Sequence, residues 1–135
     1  MNFFDKLNTA ISQNQSLLFV GLDPNPEMIP VRYQSSDLIT GLENWLQFMI
    51  AETADFVCAY KPTLGFYQVL GVPGLELLMR TLKSIPSHIP IILDAKHSDL
   101  NTSSVFAHSI FTEWQVDAVT LSPYTGQDHV APFLV

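Results

Sequence analysis

The sequence is short of cysteine, of basic residues and of long apolar runs, and each shortage excludes a class of protein. The single cysteine, Cys58, cannot form an intramolecular disulfide, and the apolar run around it indicates a buried thiol in a reducing compartment. Six basic against thirteen acidic residues give a net charge of −7, which disfavours nucleic acid or an anionic membrane surface as a partner. No apolar run approaches the roughly 20 residues of a membrane span, and no signal-type apolar region opens the chain. We therefore expect a cytoplasmic protein with no membrane or nucleic-acid partner.

Several motifs of common catalytic sites are also missing. The chain has no Gly-rich phosphate loop and no Gly-x-Ser-x-Gly turn around a nucleophilic serine. The four histidines do not have the spacing of zinc ligands, so we predict no metal site from His88, His97, His108 and His129.

What the chain does contain is an alternation of strand-like and helix-like segments. Its 135 residues, 47% of them apolar, are enough for a real core. Short apolar runs predict buried strands at 17–22, 56–60, 91–95 and 118–121, and helical spacing predicts helices at 2–14, 38–50, 64–70, 74–84 and 101–114. Four strand-then-helix units predict an α/β protein with a parallel sheet and right-handed crossovers. No internal repeat or linker divides the chain, so we expect a single domain over 1–135.

Polar residues recur at one place in these units, the C-terminal end of each predicted strand. Asp23, Lys61, Asp94 and Lys96 lie there, and so does the turn 122–126. In a (β/α)₈ barrel this end carries the active site. A complete barrel typically needs about 250 residues, and only four units are present. The pattern therefore predicts half of a (β/α)₈ barrel.

The segment 91–99 carries the strongest indication of chemistry. Positions two apart on a strand share a face, so Asp94 and Lys96 should point the same way, with Cα atoms roughly 6.6 Å apart. Asp99 follows where the chain leaves the strand and can fold back towards the lysine. Charges aimed inward at the end of a buried strand are costly unless paired, and catalytic sites accept that cost. The alternative interpretation is an ordinary ion pair at a strand end, which contributes little to stability.

Four segments together resemble the N-terminal half of the orotidine 5′-phosphate decarboxylase family, in its bacterial branch with a Leu-Asp-Ala-Lys signature. The segments are Val20–Pro24, Tyr60–Pro62 with Phe66 and Tyr67, Leu93–Ser103, and Thr120–Asp128. They occur in the order and at the spacing of that family over nearly the whole chain. The chain departs from the family where His97 and Ser98 replace a common Arg-Gly pair and where Ser103 replaces a frequent threonine.

The resemblance implies a cofactor-free decarboxylation of orotidine 5′-phosphate to UMP, the last step of de novo pyrimidine biosynthesis, by a homodimer. It implies a catalytic group made of Lys96, Asp94, Asp99 and Lys61, in which Lys96 would protonate C6 of the pyrimidine as carbon dioxide leaves. Asp94 would face the substrate carboxylate, and Asp99 would also reach the ribose in the partner's site. The substrate-binding residues implied are Asp23, Lys61, Ser103, Ser122 and Pro123. The family's phosphate-binding arginine belongs to the second half of the barrel, so this chain alone is expected to be impaired.

The chemistry explains the residue types. Decarboxylation at a vinylic carbon leaves a carbanion without a π-system to absorb it, and a fixed ammonium both stabilises that charge and supplies the proton. An aldolase-like Schiff-base lysine is disfavoured by the two aspartates, which would keep Lys96 protonated and poorly nucleophilic. Two alternatives remain open. A sugar-phosphate lyase of the same barrel superfamily would use magnesium, and a non-catalytic barrel remnant would only bind or assemble.

Overall fold

The computed structural model describes residues 2–134 as alternating helices and strands. The helices are α1 (Phe3–Asn14), α2 (Leu38–Thr53), α3 (Leu64–Gln68), α4 (Gly71–Ser84), α5 (Ser103–His108) and α6 (Gln127–Val130). The strands are β1 (Phe19–Gly21), β2 (Ala59–Lys61), β3 (Ile92–His97) and β4 (Ala118–Leu121). A π-helical turn, Ser109–Glu113, extends α5, and short 3₁₀ turns occupy Val31–Tyr33, Pro123–Thr125 and Ala131–Phe133. The predicted order of helices and strands is confirmed.

The four strands are parallel and lie side by side in chain order. β1 pairs with β2, and β3 pairs with β4, each in a parallel ladder. Parallel bridges from Tyr60 to Ile91 and from Thr63 to Asp94 join the two pairs. At the second bridge the Asp94 amide donates to the Pro62 carbonyl at 2.9 Å. This arrangement is half of a (β/α)₈ barrel, as the sequence predicts.

Two long helices, α2 and α4, contribute six buried apolar residues to the core. Their buried leucines and isoleucine recur at helical spacing, which places them on one face; they are Leu42, Leu46, Ile50, Leu77, Leu78 and Leu82. They pack with Tyr60 and Leu93 of the sheet, both fully buried. Asp37 caps the N-terminus of α2, because its side chain accepts a hydrogen bond from the Ile39 amide at 3.2 Å. Cys58 is buried, as predicted.

The outermost strands leave apolar residues uncovered. Leu17 and Leu18, predicted to lie within the first strand, precede it and are 78% and 69% exposed, and Phe19 is 53% exposed. Among the described residues, β2 is the only neighbour of β1, so the other edge of β1 has no hydrogen-bonding partner. At the far edge of the sheet, Val119 and Leu121 of β4 are half-buried. The half-barrel therefore has two open edges.

Within residues 2–134, no helix combines the length and the hydropathy that crossing a membrane requires.

Candidate active site

Asp94, at the C-terminal end of β3, is the centre of a charged network. Its Oδ1 and Oδ2 atoms lie 2.6 and 2.7 Å from the Lys96 Nζ atom. The Lys61 Nζ atom, at the end of β2, donates to Asp94 Oδ2 at 3.1 Å, and the Thr120 hydroxyl, on β4, donates to Oδ1 at 2.7 Å. The Asp94 side chain is only 11% exposed. Three adjacent strands therefore converge on one ionised carboxylate.

The network continues to Asp23 through Thr63. The Lys61 ammonium donates to the Thr63 hydroxyl at 3.0 Å, and the Thr63 amide donates to Asp23 Oδ1 at 3.1 Å. Behind them, the buried Tyr67 hydroxyl donates to the Leu22 carbonyl at 2.8 Å and so fixes the chain just before Asp23. The ends of β1 and β2 are thus joined to the Asp94 network.

Lys96 lies at the open side of this network in an unusual backbone conformation. Its φ angle is +47°, in the left-handed region that residues other than glycine rarely adopt. The pairing of β3 with β4 shifts register between Leu93 and His97, and Lys96 lies within this irregular stretch. The Lys96 side chain is 70% exposed, whereas its ammonium remains against Asp94. The Lys96 side chain therefore faces the space beyond the strand ends while its Nζ atom stays paired with Asp94.

The electrostatics of Asp94 favour its ionised form. Burial alone raises the pKa of Asp94, but the hydrogen bonds from Lys96, Thr120 and Lys61 outweigh burial and leave the pKa far below its ordinary value. One carboxylate therefore stabilises two ammonium groups held on neighbouring strands. An ammonium paired with a carboxylate can donate a proton, but it is a poor nucleophile for a Schiff base.

Asp99 does not join the network within one chain. Among the described residues, it accepts from the Thr102 hydroxyl at 2.6 Å and the Asn101 amide at 3.2 Å, and no ion pair links it to Lys96. The Thr102 hydrogen bond is the main cause that lowers the pKa of Asp99. Asp99 is exposed, beside the half-exposed Leu100. Its role in catalysis stays a prediction.

The other predicted binding residues lie near the same end of the sheet without touching Asp94. Ser103 is buried, 3% exposed, and its hydroxyl donates to the Leu100 carbonyl at 2.9 Å. The Ser122 amide donates to the His97 carbonyl at 2.9 Å, which holds the end of β4 against β3. Pro123 is exposed and begins a 3₁₀ turn. These three positions also stay predictions as substrate-binding residues.

Three residues that are not among the predicted site residues support the network: Thr63, Thr120 and His129. Thr63 lies two residues after Lys61, and Thr120 two before Ser122, so strand periodicity placed each near a candidate residue. His129 is fully buried, and its Nε2 atom lies 2.9 Å from the His97 carbonyl oxygen. A carbonyl oxygen only accepts, so Nε2 must carry the proton in this hydrogen bond.

The described residues contain no group of three or more histidine, cysteine, aspartate or glutamate side chains suited to a metal ion. The central carboxylate, Asp94, already faces two ammonium groups and a hydroxyl. The arrangement suits lysine-centred acid chemistry better than magnesium binding, since both carboxylate oxygens are already engaged.

Comparisons with known proteins agree with this geometry. The chain is 80% identical over its full length to 28% of a bifunctional PyrF/PyrE enzyme from a Nostoc species. It is 44% identical, over 98% of its length, to 49% of an orotidine 5′-phosphate decarboxylase from Herpetosiphon aurantiacus. A crystal structure of a Toxoplasma gondii orotidine-monophosphate decarboxylase superposes with a TM-score of 0.90 at 39% identity, over 98% of this chain and 44% of that one. No protein-family model matches the chain.

The parallel half-barrel, with a lysine–aspartate network at its strand ends, has the architecture of one half of a (β/α)₈ barrel. Over nearly its whole length the chain is similar to the N-terminal part of orotidine 5′-phosphate decarboxylases. The chain spans about half the length of several single-function relatives that it matches, and 28% of the bifunctional one.

Proposed function

We propose that this chain provides the proton-donating half of an orotidine 5′-phosphate decarboxylase, which forms UMP in pyrimidine biosynthesis. The observation that carries the proposal is the convergence of Lys61 and Lys96 on Asp94, with Lys96 at the open end. The names of the relatives support the same substrate. A cytoplasmic location fits a metabolic enzyme of this kind and is part of the proposal.

In the proposed reaction, Lys96 is the general acid. As the bond to carbon dioxide breaks, electron density develops at C6 of the pyrimidine, and the ammonium stabilises it and then transfers a proton to that carbon. Lysine suits the role because its compact ammonium can release a proton, whereas an arginine guanidinium cannot. Asp94 holds the ammonium in place and faces the substrate carboxylate, so repulsion between the two anions is relieved as carbon dioxide leaves. The proposal needs neither a metal nor an organic cofactor.

Asp23 and Lys61 are proposed to bind the ribose hydroxyls. Both lie beside the catalytic pair, and the Thr63 amide holds Asp23 in register with Lys61. Ser122 and Pro123, in the turn after β4, would contact the pyrimidine from the next strand end.

A homodimer is proposed to bring Asp99 and Ser103 of one subunit to the site of the other. The exposure of Asp99 and its separation from the network within one chain support this arrangement. Exposed apolar side chains on the same segment, Leu100 at 48% and Val105 at 70%, offer surface that a partner would bury. Ser103 is buried within its own chain, so its proposed role is to hold the segment that carries Asp99 through its hydrogen bond to the Leu100 carbonyl.

The proposal is tested by completing the barrel. We propose that residues 1–135 fold as one unit. In the test, the chain is joined in frame to the second barrel half of the Nostoc relative, to which it is 80% identical over its full length. The product should convert orotidine 5′-phosphate to UMP with or without a chelator. A folded protein without turnover would support a non-catalytic remnant. Turnover that chelators abolish and magnesium restores would support a metal-dependent sugar-phosphate enzyme instead.

A further inference from the structure

Thr120 makes two hydrogen bonds, one to each member of the Asp94–Lys96 pair. Its hydroxyl donates to Asp94 Oδ1 at 2.7 Å and accepts from the Lys96 backbone amide at 3.0 Å. Thr120 lies on β4, so it reaches both residues from the neighbouring strand. Among the described residues, Thr120 is the one whose side chain contacts both the Asp94 carboxylate and the Lys96 backbone amide.

The direction of these hydrogen bonds follows from chemistry. An ionised carboxylate only accepts, so the single hydroxyl proton of Thr120 must point at Asp94. The oxygen lone pairs then face the Lys96 amide, which only donates. The donor and the acceptor in each hydrogen bond are therefore fixed, and removing the Thr120 hydroxyl removes both hydrogen bonds.

The backbone at Lys96 is where such support is needed. Its left-handed φ of +47° lies within the irregular stretch between Leu93 and His97, where the regular ladder does not set the chain. The Thr120 hydroxyl fixes the amide of Lys96. One residue later, the His97 carbonyl accepts from the Ser122 amide and from His129 Nε2, each at 2.9 Å. β4 and the segment after it therefore hold the backbone on both sides of the lysine side chain.

We propose that Thr120 is a positioning residue for the decarboxylation, holding the Lys96 ammonium against Asp94 and aiming it at the reacting carbon. The expected effect of Thr120 on turnover rests on the proposed function. The two hydrogen bonds of Thr120 to Asp94 and Lys96 do not depend on that function. Thr120 does not itself transfer a proton, because Lys96 lies at the open end and Thr120 lies behind Asp94 in the network.

The test compares two substitutions in the completed barrel. Thr120→Val keeps the β-branched shape and removes the hydroxyl, whereas Thr120→Ser keeps the hydroxyl. We expect Thr120→Val to lower kcat by about 10- to 100-fold, the range for losing a hydrogen bond to a charged group, with KM changed less than threefold. Thr120→Ser should restore kcat to within about fivefold of the parent, because the hydrogen bonds and not the methyl group set the geometry.

Thr53→Val is the matched control. Thr53 is also half-buried and β-branched, and its hydroxyl is within hydrogen-bond distance of the Met49 carbonyl and the Tyr60 hydroxyl, with no hydrogen bond to Asp94 or Lys96. This variant should lose stability in chemical denaturation while kcat stays within about twofold of the parent. It separates a general effect of losing a threonine hydroxyl from an effect on the lysine.

A second readout does not depend on turnover. ¹³C NMR of the Asp94 carboxyl carbon should show its pKa raised in Thr120→Val and unchanged in Thr53→Val, and the Lys96 amide should exchange with solvent faster only in Thr120→Val. If the parent has no decarboxylase activity but these changes occur, the proposed function is wrong and the positioning role stands. Equal kcat for parent and Thr120→Val, or a Thr120→Ser variant as impaired as Thr120→Val, would overturn the inference.

Discussion

Replacing Asp94 by asparagine is the sharpest test of the network, because it keeps the shape of the side chain and removes the charge that two ammonium groups share. The Lys96 side chain is 70% exposed, so its pair with Asp94 contributes little to folding. The Lys61 pair is different, with side chains 23% and 11% exposed, and Thr120 adds a hydrogen bond to the same carboxylate. Charged hydrogen bonds of this kind contribute roughly 1.5–3 kcal/mol each. After allowance for solvent at Lys61, we expect Asp94→Asn to lower the free energy of unfolding by about 2–4 kcal/mol.

The pH dependence gives an independent check. The pKa of Asp94 in the folded chain is lower than in the unfolded chain, so its contribution to stability is present above about pH 4 and is lost as pH falls further, towards its folded pKa. Asp94→Asn should therefore reduce the loss of stability below pH 4. Denaturant titrations at pH 7 and at pH 3 measure both effects.

Asp117 offers a matched control at the opposite end of the sheet. It pairs with the Lys6 ammonium at 2.8 Å and accepts from the Ile91 amide at 2.8 Å, and both side chains of the ion pair are 18% exposed. Asp117→Asn should cost a comparable amount of stability and leave turnover in the completed barrel within a few-fold. Asp94→Asn should lose turnover by several orders of magnitude, since Lys96 loses the anion that holds it. Similar turnover in the two variants would refute the central role given to Asp94.

Three further predictions concern the same site and its surroundings. Lys96→Ala in the completed barrel should lose turnover by many orders of magnitude, and a loss of kcat/KM below tenfold would remove Lys96 as the proton donor. The 135-residue chain alone should turn over orotidine 5′-phosphate far more slowly than the completed barrel, because it lacks two or three charged hydrogen bonds to phosphate, which amount to about 3–9 kcal/mol. Steady-state assays of both proteins measure the difference, and equal kcat/KM values would show that the second half is dispensable. The chain alone should also associate in solution, since its edges and apolar residues are uncovered, and sedimentation of a folded monomer at tens of micromolar would contradict that expectation.

The sequence predicts which charged residues meet at the strand ends better than it predicts their backbone conformation. Alternating segments identify the parallel strands, and strand ends explain why Lys61, Asp94 and Lys96 meet. The left-handed conformation of Lys96 was not predictable, because nothing in a lysine flanked by alanine and histidine indicates an irregular strand. Asp99 was expected to fold back towards the lysine, but the turn stabilised by Thr102 directs it elsewhere within one chain.

The uncharged residues that support the charged network are harder to predict from the sequence. Thr63 and Thr120 are two of many hydroxyl side chains in the sequence, and only the pairing of neighbouring strands shows which of them face the charges. The ends of the first strand were also misjudged. Leu17 and Leu18 have the apolar character of a buried strand, but they precede β1 at an edge of the sheet and are exposed.

The order of the strands has a consequence for how such a protein is made. Each strand pairs with the one that precedes it in the chain, so the sheet can grow in step with synthesis, and the Asp94 network is complete once β4 has left the ribosome. The outer edge of β1 is the exception. In a closed barrel it must wait for the last strand, which is the contact of greatest sequence separation and therefore the slowest to form. Until then Leu17, Leu18 and Phe19 remain accessible, so the interval between the first strand and the last is when a chaperone would be most useful to the nascent protein.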